Sequence, residues 1–163
     1  MRYLADTNIL LRSVQPAHPM HADAAGAMKI LIAQGDIVCV FTQNLIEFWN
    51  VATRPADRNG LGFTPARAEM EVTRLEVLLT VLPDDPAIYP EWRRLVIAHS
   101  VSGKQVHDAR IVAAMNVHGL THLLTFNGGD FKRFQRITVV SPDEIVKAPP
   151  PAAPPASEEK ADS

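Results

Sequence analysis

Four acids stand where a carboxylate has little structural reason to be. Asp6 follows the apolar run "RYLA" and heads "DTN", a carboxylate, a hydroxyl and an amide in a row. Glu47 sits in "LIEFWNV", where residues 45, 46, 48, 49 and 51 are all apolar. Asp108 lies in "VHDARI", and "LLTFNGGDF" supplies Thr125, Asn127 and Asp130 around two glycines. A carboxylate half-buried among Leu, Phe and Trp is costly unless it is paired or coordinates a cation. Several carboxylates crowded together raise one another's pKa unless a hard divalent cation sits between them. Oxygen ligands without a Cys/His set point to magnesium or manganese rather than zinc. A cluster of that kind suits metal-assisted phosphoryl chemistry.

Each position also has a plain structural explanation. Acids are favoured in the first turn of a helix, which accounts for Asp108 alone. Asn, Gly and Asp are ordinary turn residues, which accounts for the stretch 127–130 alone. The case for a site rests on where the elements put all four together.

"RYLAD", "DIVCVF", "TVLPD", "THLLTF" and "RITVVSP" read as five short strands, apolar and rich in β-branched residues. Between them lie helical stretches. "TNILLRSV" has Thr7 or Asn8 available as cap and stops before Pro16, and "PMHADAAGAMKILIAQG" ends at Gly35. "TQNLIEFWNVATRP" is expected to be capped by Thr42. The stretch 64–80 has Thr64 as cap, Pro65 at the first helical position, and Ala68, Val72, Leu75 and Leu79 on one face. "PEWRRLVIAHSV" and "VHDARIVAAMNVHG" complete the set. Strands alternating with helices predict an α/β fold, a three-layer α/β/α sandwich around a mainly parallel sheet. In such sheets ligands bind at the carboxyl ends of the strands. Asp6 and residues 125–130 follow strand ends, and Glu47 and Asp108 lie early in helices that start at that same edge. All four acids can therefore meet on one rim.

The whole chain sets bounds on this reading. Its 163 residues, 47% of them apolar, suit one domain that folds without disulfides. The single cysteine, Cys39, reads as a small buried apolar side chain, and the redox setting as cytoplasmic. No apolar run reaches the roughly 18 residues of a membrane span, and the N-terminus reads as a strand, not a secretory signal. Net charge is −2, so a nucleic-acid partner requires a local basic patch, a bridging metal or oligomerisation. The final "KAPPPAAPPASEEKADS" holds five of the 13 prolines and no large apolar residue. It is expected to be a disordered tail over residues 147–163, behind a domain of residues 1–146.

The pieces "LADTNILL", "LIEFWNV", "VHDARIVAAM" and "HLLTFNGGDFKRF" together resemble the PIN-domain nucleases, and within them the VapC-type toxins of bacterial toxin–antitoxin pairs. The resemblance spans nearly all of residues 1–140. It implies a magnesium- or manganese-dependent endoribonuclease that leaves a 5′-phosphate and a 3′-hydroxyl. Asp6, Glu47 and Asp108 match the family's first three acids. Asn127 stands where a fourth is common, and Asp130 falls on another position that is often acidic. Either Asn127 is a neutral ligand or Asp130 fills the role. The implied metal ligands are thus Asp6, Asp108 and Asn127 or Asp130, with Glu47 as ligand or water holder. Thr7, Thr125 and Asn8 would support them. Arg54, Arg58, Lys104, Lys132 and Arg133 are candidate phosphate contacts. His107 reads as a capping or surface residue ahead of a general base, and Arg110 is expected to project away from Asp108. The implied partners are RNA, an antitoxin and a second copy of the chain, with Met20, Ala25, Met28 and Leu31 as docking surface or core.

Three alternatives share parts of this pattern. A receiver domain needs adjacent acids after the first strand and a Lys after a later one, and a haloacid-dehalogenase-type phosphatase needs an acid at residue 8. Neither fits. A PIN-type regulator or binding module without efficient catalysis is the closer rival.

Overall fold

The computed structural model describes residues 1–149. Five strands, β1 (Arg2–Ala5), β2 (Ile37–Phe41), β3 (Thr80–Leu82), β4 (His122–Leu124) and β5 (Thr138–Val140), form one sheet in the order β3-β2-β1-β4-β5. Every pairing is parallel, with Leu4 opposite Cys39 on one side and Leu123 on the other. Strands covered on both faces read as continuous apolar runs rather than alternating ones, which is why "DIVCVF" is legible.

The helices are α1 (Thr7–Ser13), α2 (His21–Ala33), α3 (Thr42–Thr53), α4 (Pro65–Leu78), α5 (Ile88–Ala98), α6 (Gln105–His118) and α7 (Pro142–Lys147). Successive strand residues point to opposite faces, and two cores result. Tyr3, Ala5, Val38, Val40 and Leu124 pack with residues of α1 to α4. Leu4, Cys39, Phe41 and Leu123 pack with α5 and α6. The three layers are those expected, and Cys39 is buried. Met28 and Leu31 belong to the first core, whereas Met20 is 42% exposed.

Local signals hold at several points. Thr64 Oγ1 accepts the Arg67 N–H at 3.2 Å, with Pro65 opening α4. Gly119 ends α6 in the left-handed region at φ 69°. Two caps differ from expectation. Asp6, not Thr7 or Asn8, caps α1, because the chain leaves β1 extended at Asp6 (φ −68°, ψ 156°) and its carboxylate reaches the Thr7 N–H. Thr42 is the first residue of α3 rather than its cap, and Asn44 accepts the Phe41 N–H there at 2.9 Å. The sequence reading has no α7. Its last turn contains the domain boundary expected after residue 146, and residues 150–163 of the expected tail lie outside the described residues.

β1 lies in the middle of the sheet, and the strand order runs outwards from it in both directions. The carboxyl ends of β1 and β4 therefore flank the point where the order reverses, the place open α/β sheets offer a ligand.

Candidate functional site

Asp6 stands at the end of β1, its N–H donating to the Leu124 carbonyl of β4 at 3.0 Å. Its Oδ1 accepts the Thr7 N–H at 2.7 Å. Its Oδ2 accepts from Thr125 Oγ1 at 2.7 Å and from Asn8 Nδ2 at 3.0 Å. Thr125, buried, also accepts from Asn8 Nδ2 and from the Asn127 N–H, each at 3.0 Å. Asn8 Oδ1 accepts the Phe126 N–H at 3.3 Å. One acid, one hydroxyl and one amide thus lock the ends of two neighbouring strands together. Thr125 and Asn8, two of the three residues the resemblance names as supports, both hydrogen-bond to Asp6.

Glu47, one turn into α3, is held at both oxygens. Thr7 Oγ1 donates to Oε2 at 3.0 Å and Gln43 Nε2 to Oε1 at 2.8 Å. Asn44, fully buried, donates in turn to Thr7 Oγ1 at 3.3 Å. Of Glu47's neighbours, Phe48 is buried but Ile46 is 70% exposed, so the acid sits at the edge of the helix's buried face. Asp108 lies in the first turn of α6. Among the described residues no side chain or N–H donates a hydrogen bond to it. Asp130 is exposed in a 3-10 turn, Gly128–Phe131, after β4. Gly128 lets that turn lie against β5, since a Cβ there would come within 2.7 Å of Val139 Cγ1.

The acids feel one another. Burial pushes the Asp108 carboxyl up from 3.8 to about 6, helped by the charges of Asp130, Asp6 and Glu47 and opposed by His107. Asp6 is also raised, by burial first, with Glu47 and Asp130 adding to it against the hydrogen bonds of Thr125 and Thr7. Among the described residues no three His, Cys, Asp or Glu side chains are gathered closely enough to hold an ion. The donor set nevertheless fits a hard divalent cation in kind: oxygen donors only, mutually repelling, and two of them, Asp108 and Asp130, without a hydrogen-bond donor among the described residues.

Glu47 and Asp108 line one groove of about 570 Å³ with Gln43, Asp84, His107 and Arg110. Arg110, expected to project away from Asp108, makes no hydrogen bond or ion pair with it. Its guanidinium is drawn into the groove, where Nη1 donates to Gln43 Oε1 at 2.8 Å and Nη2 to Asp84 Oδ1 at 2.9 Å. His107 is exposed on the same groove, and its carbonyl accepts from Gln43 Nε2 at 3.3 Å. The five candidate phosphate contacts lie outside this groove. Arg54 caps the far end of α3, Arg58 is exposed in the 3-10 turn Ala56–Arg58, Lys104 precedes α6, and Lys132 is exposed. Arg133 donates to Gln105 Oε1 at 2.8 Å, tying the turn that carries Asp130 to the start of α6. Gln43, Asn44, Asp84 and Arg110 are the residues that sequence reasoning left unassigned. The adjacent polar pair Gln43–Asn44 in the first turn of α3, just ahead of the apolar Leu45 and Ile46, was the available signal.

A sequence model of the family described as "PIN domain" matches residues 3–137. The chain is 23% identical to a Mycobacterium tuberculosis protein named Ribonuclease VapC48 over 142 residues, 84% of this chain and 94% of that protein. Among solved structures, VapBC2 from Rickettsia felis, bound to a DNA fragment from its promoter, superposes with a TM-score of 0.66 at 14% identity. The match covers 86% of this chain and 98% of that one. Mycobacterium tuberculosis VapC20, described as a sarcin-ricin loop cleaving toxin, gives 0.58 at 19% identity, over 78% and 92%.

Proposed function

The chain belongs to the PIN domain family, and on that premise we propose that it is a magnesium- or manganese-dependent endoribonuclease, the toxin of a toxin–antitoxin pair, acting in the cytoplasm. The observation that carries the reading is that Asp108, raised to about 6 by burial first, also feels the charges of Asp130, Asp6 and Glu47 near the reversal point of the sheet. Asp6, Asp108 and either Asn127 or Asp130 would hold the cation. The charge of Asp130 reaching both Asp6 and Asp108 favours Asp130. A bound divalent cation supplies charge neutralisation at the phosphate and acidifies water.

The chain's own residues do the rest. Thr125 and Asn8 fix the position of Asp6, and the bonds from Thr125 and the Thr7 N–H offset part of the rise that burial imposes on its carboxyl. Thr7 and Gln43 hold the Glu47 carboxylate in one orientation, ready to align a water or to take its proton. Pre-set polar groups of this kind avoid reorganisation as charge develops.

An antitoxin is the proposed protein partner, in keeping with the VapBC assembly among the structural relatives. An apolar groove of about 530 Å³ between α1, α2 and α4, with Met28, Ile32, Leu75 and Leu78 among its walls and Lys29, Glu71 and Arg74 at its margins, suits an amphipathic segment. Ala25 and Met28 are among its lining residues, and Met28, like Leu31, is also part of the core. A homodimer and a folded unit ending near residue 146 are part of the same proposal. No helix among the described residues is long and apolar enough to cross a membrane. The rival, a partner-binding PIN domain without efficient catalysis, draws on Asn127 standing where the resemblance expects an acid. One assay separates the two: purified chain with cellular RNA in manganese, against the same mixture in EDTA. Fragments with discrete ends, in manganese only, are expected. RNA left intact in both favours the binding module.

A further inference from the structure

A groove lined by acids repels the polyanion it is meant to cut, and a chain of net charge −2 offers no general attraction to offset this. Among the described residues, Arg110 is the only Lys or Arg lining the groove of Glu47 and Asp108. We propose that Arg110 grips a phosphate of the RNA next to the bond that is cut, with Gln43 and Asp84 holding it ready. This rests on the ribonuclease reading above.

Three observations carry it. The guanidinium has five N–H donors, and two are used, one on Gln43 and one on Asp84. The others have no acceptor among the described residues. The Arg110–Asp84 pair is open to solvent, with side chains 36% and 59% exposed. An exposed pair of this kind contributes little, so exchanging Asp84 for a phosphate, whose geometry the guanidinium fork matches, is favourable. Finally, Gln43 has its Oε1 occupied by Arg110, which turns its NH₂ towards Glu47. A phosphate held by Arg110 therefore lies one amide away from the Glu47 carboxylate. Thr42 Oγ1, which donates to Asp84 Oδ2 at 2.9 Å, keeps the holder itself in place.

The test measures binding of a fluorescent mixed-sequence RNA 20-mer to the full chain in calcium, across a range of salt, with cleavage of cellular RNA in manganese alongside. Arg110→Ala and Arg110→Gln should each raise Kd by about tenfold and reduce the salt slope by about 0.7, one phosphate contact on a single strand. Arg110→Lys should recover part of the loss as a point charge. Asp84→Ala should bind RNA as tightly as wild type or more tightly, since it frees the arginine. Wild-type Kd and slope in Arg110→Gln would overturn the proposal. So would weakened binding in Asp84→Ala, which would make the pair a structural strut. A wild type that cleaves RNA while Arg110→Gln is unaltered defeats this inference alone. A wild type that neither binds nor cleaves RNA defeats the ribonuclease reading and this inference with it.

Discussion

Replacing Asp108 by Asn should stabilise the metal-free protein. The carboxyl titrates at about 6 in the fold against 3.8 for the free group. At roughly 1.4 kcal/mol per pH unit, that gap corresponds to about 3 kcal/mol against the folded state once Asp108 is ionised. Asp108 is partly exposed, and screening reduces the figure to about 1–2 kcal/mol. Losing a charge that the α6 dipole favours takes back about 0.3–1 kcal/mol. The net gain is about 1 kcal/mol, or roughly 2–4 °C in Tm for a domain of this size. The sign follows from the direction of the shift. A carboxyl raised in the fold weighs against folding above its folded pKa, and the penalty disappears as pH falls from about 6 towards 3.8. The variant's advantage should therefore be present at pH 8 and gone by about pH 4. The assay is thermal unfolding of both proteins in EDTA across that range, then in millimolar manganese. Manganese should reverse the order, because it stabilises the protein that binds it. A variant less stable than wild type at pH 8 in EDTA would refute the reasoning and make Asp108 a structural residue.

Other expectations follow from single contacts. Thr125→Val removes the hydroxyl shared by Asp6, Asn8 and the Asn127 N–H, and should cost about 1–3 kcal/mol in urea unfolding together with most of the cleavage activity. Gly128→Ala drives a methyl into Val139. It should cost about 1–3 kcal/mol and lower activity by moving Asp130, and Val139→Ala should restore both. Asp130→Ala should abolish cleavage while Asn127→Ala leaves most of it; the reverse pattern would make Asn127 the fourth ligand.

The strands and much of the rim were legible because a parallel sheet buried on both faces leaves continuous apolar runs, and because a helix that directly follows a strand begins at the carboxyl edge. That brings Asp6, Glu47 and residues 125–130 towards one place, whereas Asp108 heads α6, which follows another helix. What the pattern missed is of three kinds. α7 has only six residues, yet its signal was present: Pro142 opens the helix and Glu144 accepts the Ser141 N–H at 3.2 Å. Asp6 as cap was missed because a strand ending and a helix starting on the same residue leave Asp, Thr and Asn equally suited by type. Arg110 was not assigned to the groove because residues two apart on a helix point to different faces, and that rule governs the Cα–Cβ bond only. Its long side chain is bent into the groove by Gln43 on α3 and Asp84 after β3, partners 67 and 26 residues away in sequence. Such contacts between elements leave no local period to read.

The most direct test is tightly induced expression of the wild type and of Asp6→Ala in a bacterial host, with growth and intact cellular RNA followed together. Growth arrest with discrete RNA fragments for the wild type only, both proteins being soluble and folded, is the predicted result. Arrest and fragments that persist in Asp6→Ala, or intact RNA with unimpeded growth for the wild type, would contradict it.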